Sequence, residues 1–326
     1  MANILVFNGD ADGICAAHQL RLAGFVPDQV VTGVKRDIAL LERVDAGAGD
    51  VVWVADISLD SNRGALKRLL EAGARITWHD HHYAGEIPAH PGLVAHIDTA
   101  PEACSSLIVD RLLHGRYRAW AVAAAFGDNL HKAARAAARE GGIAEADDHA
   151  LRELGELFNY NAYGETEADL HLAPAVLYAR IAPYADPREF IAADPQALAG
   201  LRACFAGDLA RAHALEPAVL CPGLRGARCF LLPDAPWSRR VNGVYANELA
   251  REHPAHAHAV LVQGHDKNGA PGYMVSLRAP VDRPQGADIV CRQFAGGGGR
   301  SRAAGINWLP QGELQRFGEA LAAAYP

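Results

Sequence analysis

The feature that most constrains this chain is how its short apolar runs end. Within the first hundred residues, Ile4–Phe7, Val51–Ala55, Ala74–Trp78 and Leu93–Ile97 have the length and composition of β-strands. Gly13–Leu22 and Asn62–Glu71, rich in Ala, Leu, Arg and Lys, read as helices between them. Strands this apolar, alternating with helices, predict a mostly parallel sheet covered on both faces. The first run ends in Asn8-Gly9-Asp10-Ala11-Asp12-Gly13, the second in Asp56, and the third in His79-Asp80-His81-His82. A later apolar stretch, Trp120–Phe126, ends in Gly127-Asp128-Asn129. In an open parallel sheet, ligands bind outside the carboxyl ends of the strands. Acids placed there from several elements converge on one crevice, where they repel and raise one another's pKa unless a cation lies among them.

The donor types narrow the cation. Aspartate oxygens with one or two imidazole nitrogens suit Mn²⁺ or Mg²⁺, and no thiolate is present to favour zinc. Asp10 and Asp12 lie two apart, so on an extended segment they point the same way. That spacing suits two adjacent ions with Asp56 between them. The plainer reading of one aspartate after a strand is a helix N-cap or a turn. Asp98-Thr99-Ala100-Pro101-Glu102 illustrates it, with capping-box spacing between Thr99 and Glu102 and Pro in the first turn, so a helix is expected to start there. His79 and Tyr83 read as packing residues. Three imidazoles around Asp80 are an odd composition for a simple turn.

Beyond residue 101 the chain is rich in Ala and Leu and reads as largely helical to about Leu215, with Pro187–Leu215 as a connecting helix or helix pair. After Pro222-Gly223 the pattern changes: Arg228–Leu232, His258–Gln263 and Tyr273–Leu277 are strand-like, and Asn242–Arg251 and Ala287–Ala295 are helix-like. The predicted organisation is an N-terminal doubly wound, mostly parallel α/β domain with a helical extension (1–185), a helical linker (186–221) and a smaller C-terminal α/β domain (222–326).

Charge excludes one class of partner. With 31 Lys+Arg against 38 Asp+Glu, net charge is −7 and the pI is about 6.1, which argues against a broad basic surface for long duplex nucleic acid. The six cysteines are scattered without a C-x-x-C pair and read as small buried hydrophobes in a reducing compartment. No apolar run has the length of a membrane span, and the start Met1–Phe7 lacks a signal-peptide pattern, so a cytoplasmic protein is expected.

The ordered set D-A-D-G, a lone Asp after an apolar strand, D-H-H and G-D-N resembles the N-terminal motifs of the DHH phosphoesterase superfamily. Gly296-Gly297-Gly298-Gly299-Arg300-Ser301-Arg302-Ala303-Ala304-Gly305 resembles the G-G-G-H-x-x-A-A-G signature of the C-terminal domain shared by its RecJ-like and nanoRNase/pAp-phosphatase branches. The resemblance spans essentially the whole chain. It implies a metal-dependent hydrolase with two Mn²⁺ ions (or Mg²⁺) acting on nucleotides or nucleic acid. Asp10 would bind one ion and Asp12 the other, with Asp56 bridging and His81 and Asp128 completing the second site. Asp80 would orient its neighbours, His82 would face the substrate phosphate, and the glycine tract would hold that phosphate.

Two positions depart from the family pattern. Asn8, a weaker neutral ligand, stands where a further acidic or imidazole ligand to the first ion is common, and Arg300 replaces the signature His, with Arg302 close behind. Arginine binds phosphate through paired hydrogen bonds but is no acid or base near neutrality. The expected chemistry is in-line hydrolysis, with two ions about 3.5–4 Å apart activating water. Arg300, Arg302 and the backbone N–H groups of Gly297, Gly298 and Gly299 would grip the substrate. Arg239, Arg240 and Arg278 read as solvated surface groups. Acidic charge and the lack of an aromatic groove favour short oligonucleotides or nucleotides over long single strands, and a homodimer remains open. The alternatives are a RecJ-like single-strand exonuclease and a nucleotide- or RNA-binding protein whose chemistry has decayed.

Overall fold

The computed structural model describes residues 1–222, 224–266 and 268–326, so Gly223, at the expected change of pattern, lies outside the described residues. The chain divides into two compact units, Met1–Ala203 and Cys204–Pro326.

The first unit is built on a five-stranded sheet in which every pairing is parallel. Its elements begin β1 (Asn3–Asn8), α1 (Ala11–Leu22), β2 (Gln29–Gly33), β3 (Val51–Ala55), α2 (Arg63–Glu71), β4 (Arg75–Asp80) and β5 (Leu93–Ile97). Strand order is β2-β1-β3-β4-β5, so the winding direction reverses between β1 and β3. The loops leaving those two strands diverge to opposite sides and open a crevice at their carboxyl ends.

Alternation along the strands feeds two apolar layers. Ile4, Val6, Val52, Val54, Ile76 and Trp78 pack with Leu40, Leu41 and the Leu66 and Leu69 face of α2. Leu5 and Phe7 point the other way and are equally buried, beneath α1. Helices α3 (Ser105–Leu112), α4 (Arg118–Gly127), α5 (His131–Glu140), α6 (Asp148–Asn161), α7 (Pro174–Ile181) and α8 (Pro187–Ala193) complete the unit, and α9 (Pro195–His213) spans the division. The expected doubly wound sheet and helical extension are therefore present. The helix expected near Asp98 is not: α3 starts at Ser105, and the Asp98 carboxylate instead accepts the Ala100 N–H and pairs with Arg111.

The second unit is also α/β. Its sheet has the order β6-β7-β8-β10-β9, formed by β6 (Ala227–Leu232), β7 (Ala257–His265), β8 (Pro271–Arg278), β9 (Gly297–Arg300) and β10 (Ala303–Pro310). Only the β6–β7 pair is parallel. Helix α10 (Pro236–Glu252) lies against β7 and β8, while α11 (Ala287–Cys291) and α12 (Leu314–Ala324) pack Val290, Phe317 and Leu321 into a core with Val275, Leu277 and Ile306. The arginines expected on the surface are structural. Arg240 is buried in a two-pronged pair with Asp208, Arg239 bonds Asp234, and Arg278 bonds Asn247. No helix among the described residues is long and apolar enough to cross a membrane.

Each unit buries a histidine that gains nothing from a proton. His18 lies edge-on to Trp120 with Nε2 2.8 Å from the Tyr184 carbonyl, and burial pushes its pKa from 6.5 to about 4. Burial, aided by the nearby His253, Arg228 and His256, takes His258 from 6.5 to about 4 as well. The unfolded chain then binds these protons first. Their stability contribution is complete above about pH 6.5 and is lost as pH falls toward 4, by up to ~1.4 kcal/mol per pH unit for each group. Urea denaturation at pH 7 and pH 5 should show this loss. His18→Gln should flatten the dependence by about one proton, and an unchanged slope in the variant would show that His18 is not held neutral.

Candidate metal centre

Asp10, Asp12, Asp56, Asp80 and Asp128 come together at the carboxyl end of the parallel sheet, each from a different local cause. Asp10 ends the turn after β1 and is the N-cap of α1. One carboxylate oxygen accepts the N–H groups of Asp12 and Gly13, both at 3.0 Å. Gly13 is required by close approach, because a Cβ there would lie 2.1 Å from the Asn8 carbonyl oxygen. Asp12, in the first turn of α1, faces the start of α3. Its two oxygens accept the Ser105 and Ser106 N–H groups at 2.7 and 2.8 Å, so free amides at a helix N-terminus compensate its charge.

Asp56 leaves β3 with φ +58°, a left-handed conformation costly for a residue with a Cβ. That backbone turns its side chain into the crevice, where Oδ1 accepts from the Ser105 hydroxyl at 3.1 Å. Asp128 follows the last turn of α4. Asp80 closes β4 and is fully buried. One of its oxygens takes His82 Nδ1 at 2.7 Å, and the other has no hydrogen-bond partner.

The two histidines after Asp80 are differently employed. His81 Nδ1 lies 3.0 Å from the Ala103 carbonyl, which can only accept, so the proton is assigned to Nδ1 and the Nε2 lone pair faces the acids. Nε2 is 3.4 Å from Asp56, 3.9 Å from Asp128 and 4.0 Å from Asp12. Burial opposes a charge on His82, but the Asp80 carboxylate outweighs it and raises the pKa above the ordinary value. The His82 side chain remains about half exposed. His79, in contrast, is buried and stacked on His96, as expected of a packing residue, whereas Tyr83 is 75% exposed and packs into no core.

The donor set fits a divalent ion. An octahedral ion at ~2.1 Å from each ligand holds them ~3.0 to ~4.2 Å apart, and the His81–carboxylate separations fall within that range. Among the described residues, two groups bring their ligand atoms close enough: Asp12 with His81 and Asp128, and Asp56 with His81 and His82. The acids are also short of positive charge. Burial and the carboxylates of Asp10, Asp12, Asp128 and Asp80 push Asp56 well above the ordinary range. Burial is likewise the main cause that lifts Asp128 to about 6, in spite of Lys35.

Asp10, expected as a ligand of a first ion, belongs to neither group, and Asn8, expected beside it, is engaged elsewhere. Asn8 spends its amide on backbone, donating to the Lys35 carbonyl at 3.1 Å and accepting the Asp10 N–H at 3.2 Å. The free oxygen of Asp10 meets Lys35 Nζ at 2.5 Å. Burial works against ionisation of Asp10, yet the Lys35 ammonium holds its pKa down at about 2. Lys35 was not anticipated. It stands two residues beyond β2, and no motif marks it. Ser105, Ser106, Ala103 and Asn159 likewise contribute through backbone or neutral groups that carry no signature.

The glycine tract belongs to the second unit. Gly297, Gly298, Gly299 and Arg300 form β9, the edge strand of its sheet, paired antiparallel with β10. The glycines at 297 and 299 are demanded by packing, since a Cβ would lie 1.8 Å from the Cys291 carbonyl oxygen or 2.5 Å from Ala304. Arg300 and Arg302 flank the hairpin turn and are exposed.

A parallel sheet whose switch point gathers acids and imidazoles, followed by a second α/β unit, is a fold already seen in solved structures, a DHH-domain protein among them. Three solved structures share it along nearly the whole chain. They are a DHH-domain protein described as a member of a family of ribosomal proteins (TM-score 0.60, 15% identity, 99% of this chain and 86% of that one), the exonuclease RecJ bound to manganese (0.54, 20%, 100% and 91%) and a pGpG-specific phosphodiesterase from Vibrio cholerae (0.51, 13%, 99% and 98%). No protein-family model and no curated protein matches the sequence. The resemblance read from the five motifs is thus borne out in the fold.

A ligand that binds only the folded state raises its stability, by ~2.7 kcal/mol at a hundredfold excess over Kd. Added Mn²⁺ should therefore raise the melting temperature by several degrees, and His81→Ala should abolish the shift. A wild-type protein indifferent to millimolar Mn²⁺ would remove the centre from consideration.

Proposed function

We propose that this protein is a divalent-metal-dependent phosphoesterase that hydrolyses phosphoester bonds of short oligonucleotides or nucleotides. The observation that carries the reading is the position of His81 Nε2, within 3.4 to 4.0 Å of Asp56, Asp128 and Asp12 beside the switch point, with Asp12, His81 and Asp128 together at ligand spacing. Nitrogen mixed with carboxylate oxygen favours Mn²⁺, with Mg²⁺ as the alternative. A divalent ion held by these residues supplies Lewis acidity toward a phosphoryl oxygen and lowers the pKa of water.

The protein's own groups have distinct parts. His81 is fixed in tautomer and orientation by Ala103, so Nε2 is presented as a ligand without rotational loss. Asp12 is steered by the amides of Ser105 and Ser106, and Asp56 by the Ser105 hydroxyl. His82, protonated on Nδ1 toward Asp80, is the accessible imidazole of the pair. It stabilises charge on a non-bridging phosphoryl oxygen, and Asp80 favours the imidazolium that does so. In the second unit, exposed Arg300 and Arg302 beside the glycine edge strand are suited to a terminal phosphate.

Net charge supports the small substrate. At −7, the chain has little with which to draw in a long polyanion, and long single strands also call for an aromatic-lined basic groove. The six cysteines are all free, in keeping with the cytoplasm.

Mn²⁺-dependent release of product from end-labelled 2-mers, 5-mers and 30-mers tests both parts of the reading. Turnover should be fastest on the 2-mer or 5-mer, and His81→Ala or Asp56→Ala should reduce it at least about a hundredfold, the order expected when an essential stabiliser of the transition state is removed. Preference for the 30-mer would replace this reading with a RecJ-like exonuclease. Bound metal without turnover on any phosphoester, mononucleotides included, would leave a binding protein.

A further inference from the structure

We infer that Lys35 is a built-in cation occupying one of the two cation positions at this centre, so that the protein binds a single divalent ion per chain, on the side of Asp12, His81 and Asp128. The inference rests on the phosphoesterase reading above and changes its metal count.

The geometry around Nζ is that of an ammonium seated in a prepared socket. It lies 2.5 Å from Asp10 Oδ2, 2.8 Å from Asn159 Oδ1 and 3.6 Å from Asp128 Oδ1. A lysine head has three donors, and three oxygens from three separate elements surround it: the turn before α1, helix α6 and the end of α4. The Tyr163 ring adds a face 5.4 Å away. The backbone of Lys35 is fixed at both ends, since its N–H donates to the Ala162 carbonyl at 3.0 Å and its carbonyl accepts the Asn8 amide at 3.1 Å. A surface lysine that had merely drifted toward an acid would not be held in this way.

The ligands beside Lys35 are used up in a manner that leaves no place for a second ion at Asp10. Asp10 has one oxygen committed to two helix amides and the other to Nζ. Asn8 is committed to backbone on both sides of its amide. A divalent ion bound to Asp10 would have to displace the ammonium or sit beside it, and two cations sharing one carboxylate oxygen repel strongly. Asp128 divides between the two charges, with Oδ1 toward Lys35 and Oδ2 3.9 Å from His81 Nε2. It therefore joins the fixed cation to the exchangeable one, the place a bridging carboxylate takes between two metals. The neutral residue at position 8 follows: with a monovalent, covalently tethered charge at this site, a further anionic ligand would be uncompensated.

Metal content of the protein decides the matter. After equilibration with Mn²⁺ and removal of free ion, wild type should retain one ion per chain by elemental analysis, with the electron paramagnetic resonance spectrum of isolated Mn²⁺. Lys35→Ala frees Asp10 and empties the socket. It should retain two ions per chain, with the broadened signal of a spin-coupled pair, and Lys35→Arg should stay at one. Lys35→Met serves in place of Lys35→Ala if circular dichroism shows the alanine variant unfolded. Two coupled ions in wild type would overturn the inference and leave the phosphoesterase reading standing. One ion in both wild type and a folded Lys35→Ala or Lys35→Met variant would show that Lys35 is not what excludes the second, which also overturns it. Retention of no metal by any form would fell the phosphoesterase reading itself.

Discussion

Everything at this centre follows from the cost of burying like charges. Four carboxylates reach one crevice because a parallel sheet points all its carboxyl ends the same way and its strand order reverses between β1 and β3, and Asp128 joins them from the end of α4. Water is largely excluded there, so each acid needs its own compensation. The fold supplies it by different means: amides at the head of α3 for Asp12, amides of α1 and the Lys35 ammonium for Asp10, and the His82 ring for Asp80. Asp56 and Asp128 are left undercompensated, and their raised pKa values mark where positive charge is still missing.

Much of this was legible in the sequence, for a definable reason. Strands β1, β3 and β4 carry apolar runs because both faces of the sheet are covered or nearly so there, and the acids that follow them are visible as interruptions, while β5 at the edge keeps an apolar run although only partly buried. Strand β2 was not read. It begins exposed at the sheet edge, and its residues Gln29–Gly33 include only two strongly apolar side chains. Missing β2 concealed that Lys35 stands at the same end of the sheet as the acids. The start of α3 was misplaced because local capping signals at Thr99 and Glu102 compete with a tertiary demand. The amides that must be free are those of Ser105 and Ser106, which Asp12 binds. Strand β9 was hidden for a third reason, since glycines give no side-chain alternation to read.

The two aspartates of D-A-D-G share a motif but not an environment. Asp10 satisfies the helix behind it and the lysine beside it, the ordinary role of an acid after a strand. Asp12, further into the helix, is the residue turned toward His81 and Asp128. In the second unit the glycine tract has a similar double aspect. Packing against α11 and β10 accounts for Gly297 and Gly299, which leaves the arginines at the hairpin turn as the chemically distinctive feature of that edge.

The left-handed backbone at Asp56 carries a wider implication. Glycine or asparagine would adopt that conformation at lower energy, and either would also relieve the crowding of negative charge. On folding grounds alone, then, aspartate is a poor choice at this position on two independent counts. The residue that a folding argument would choose last is thus the one placed nearest to His81 Nε2, which marks the position as chosen for what it binds.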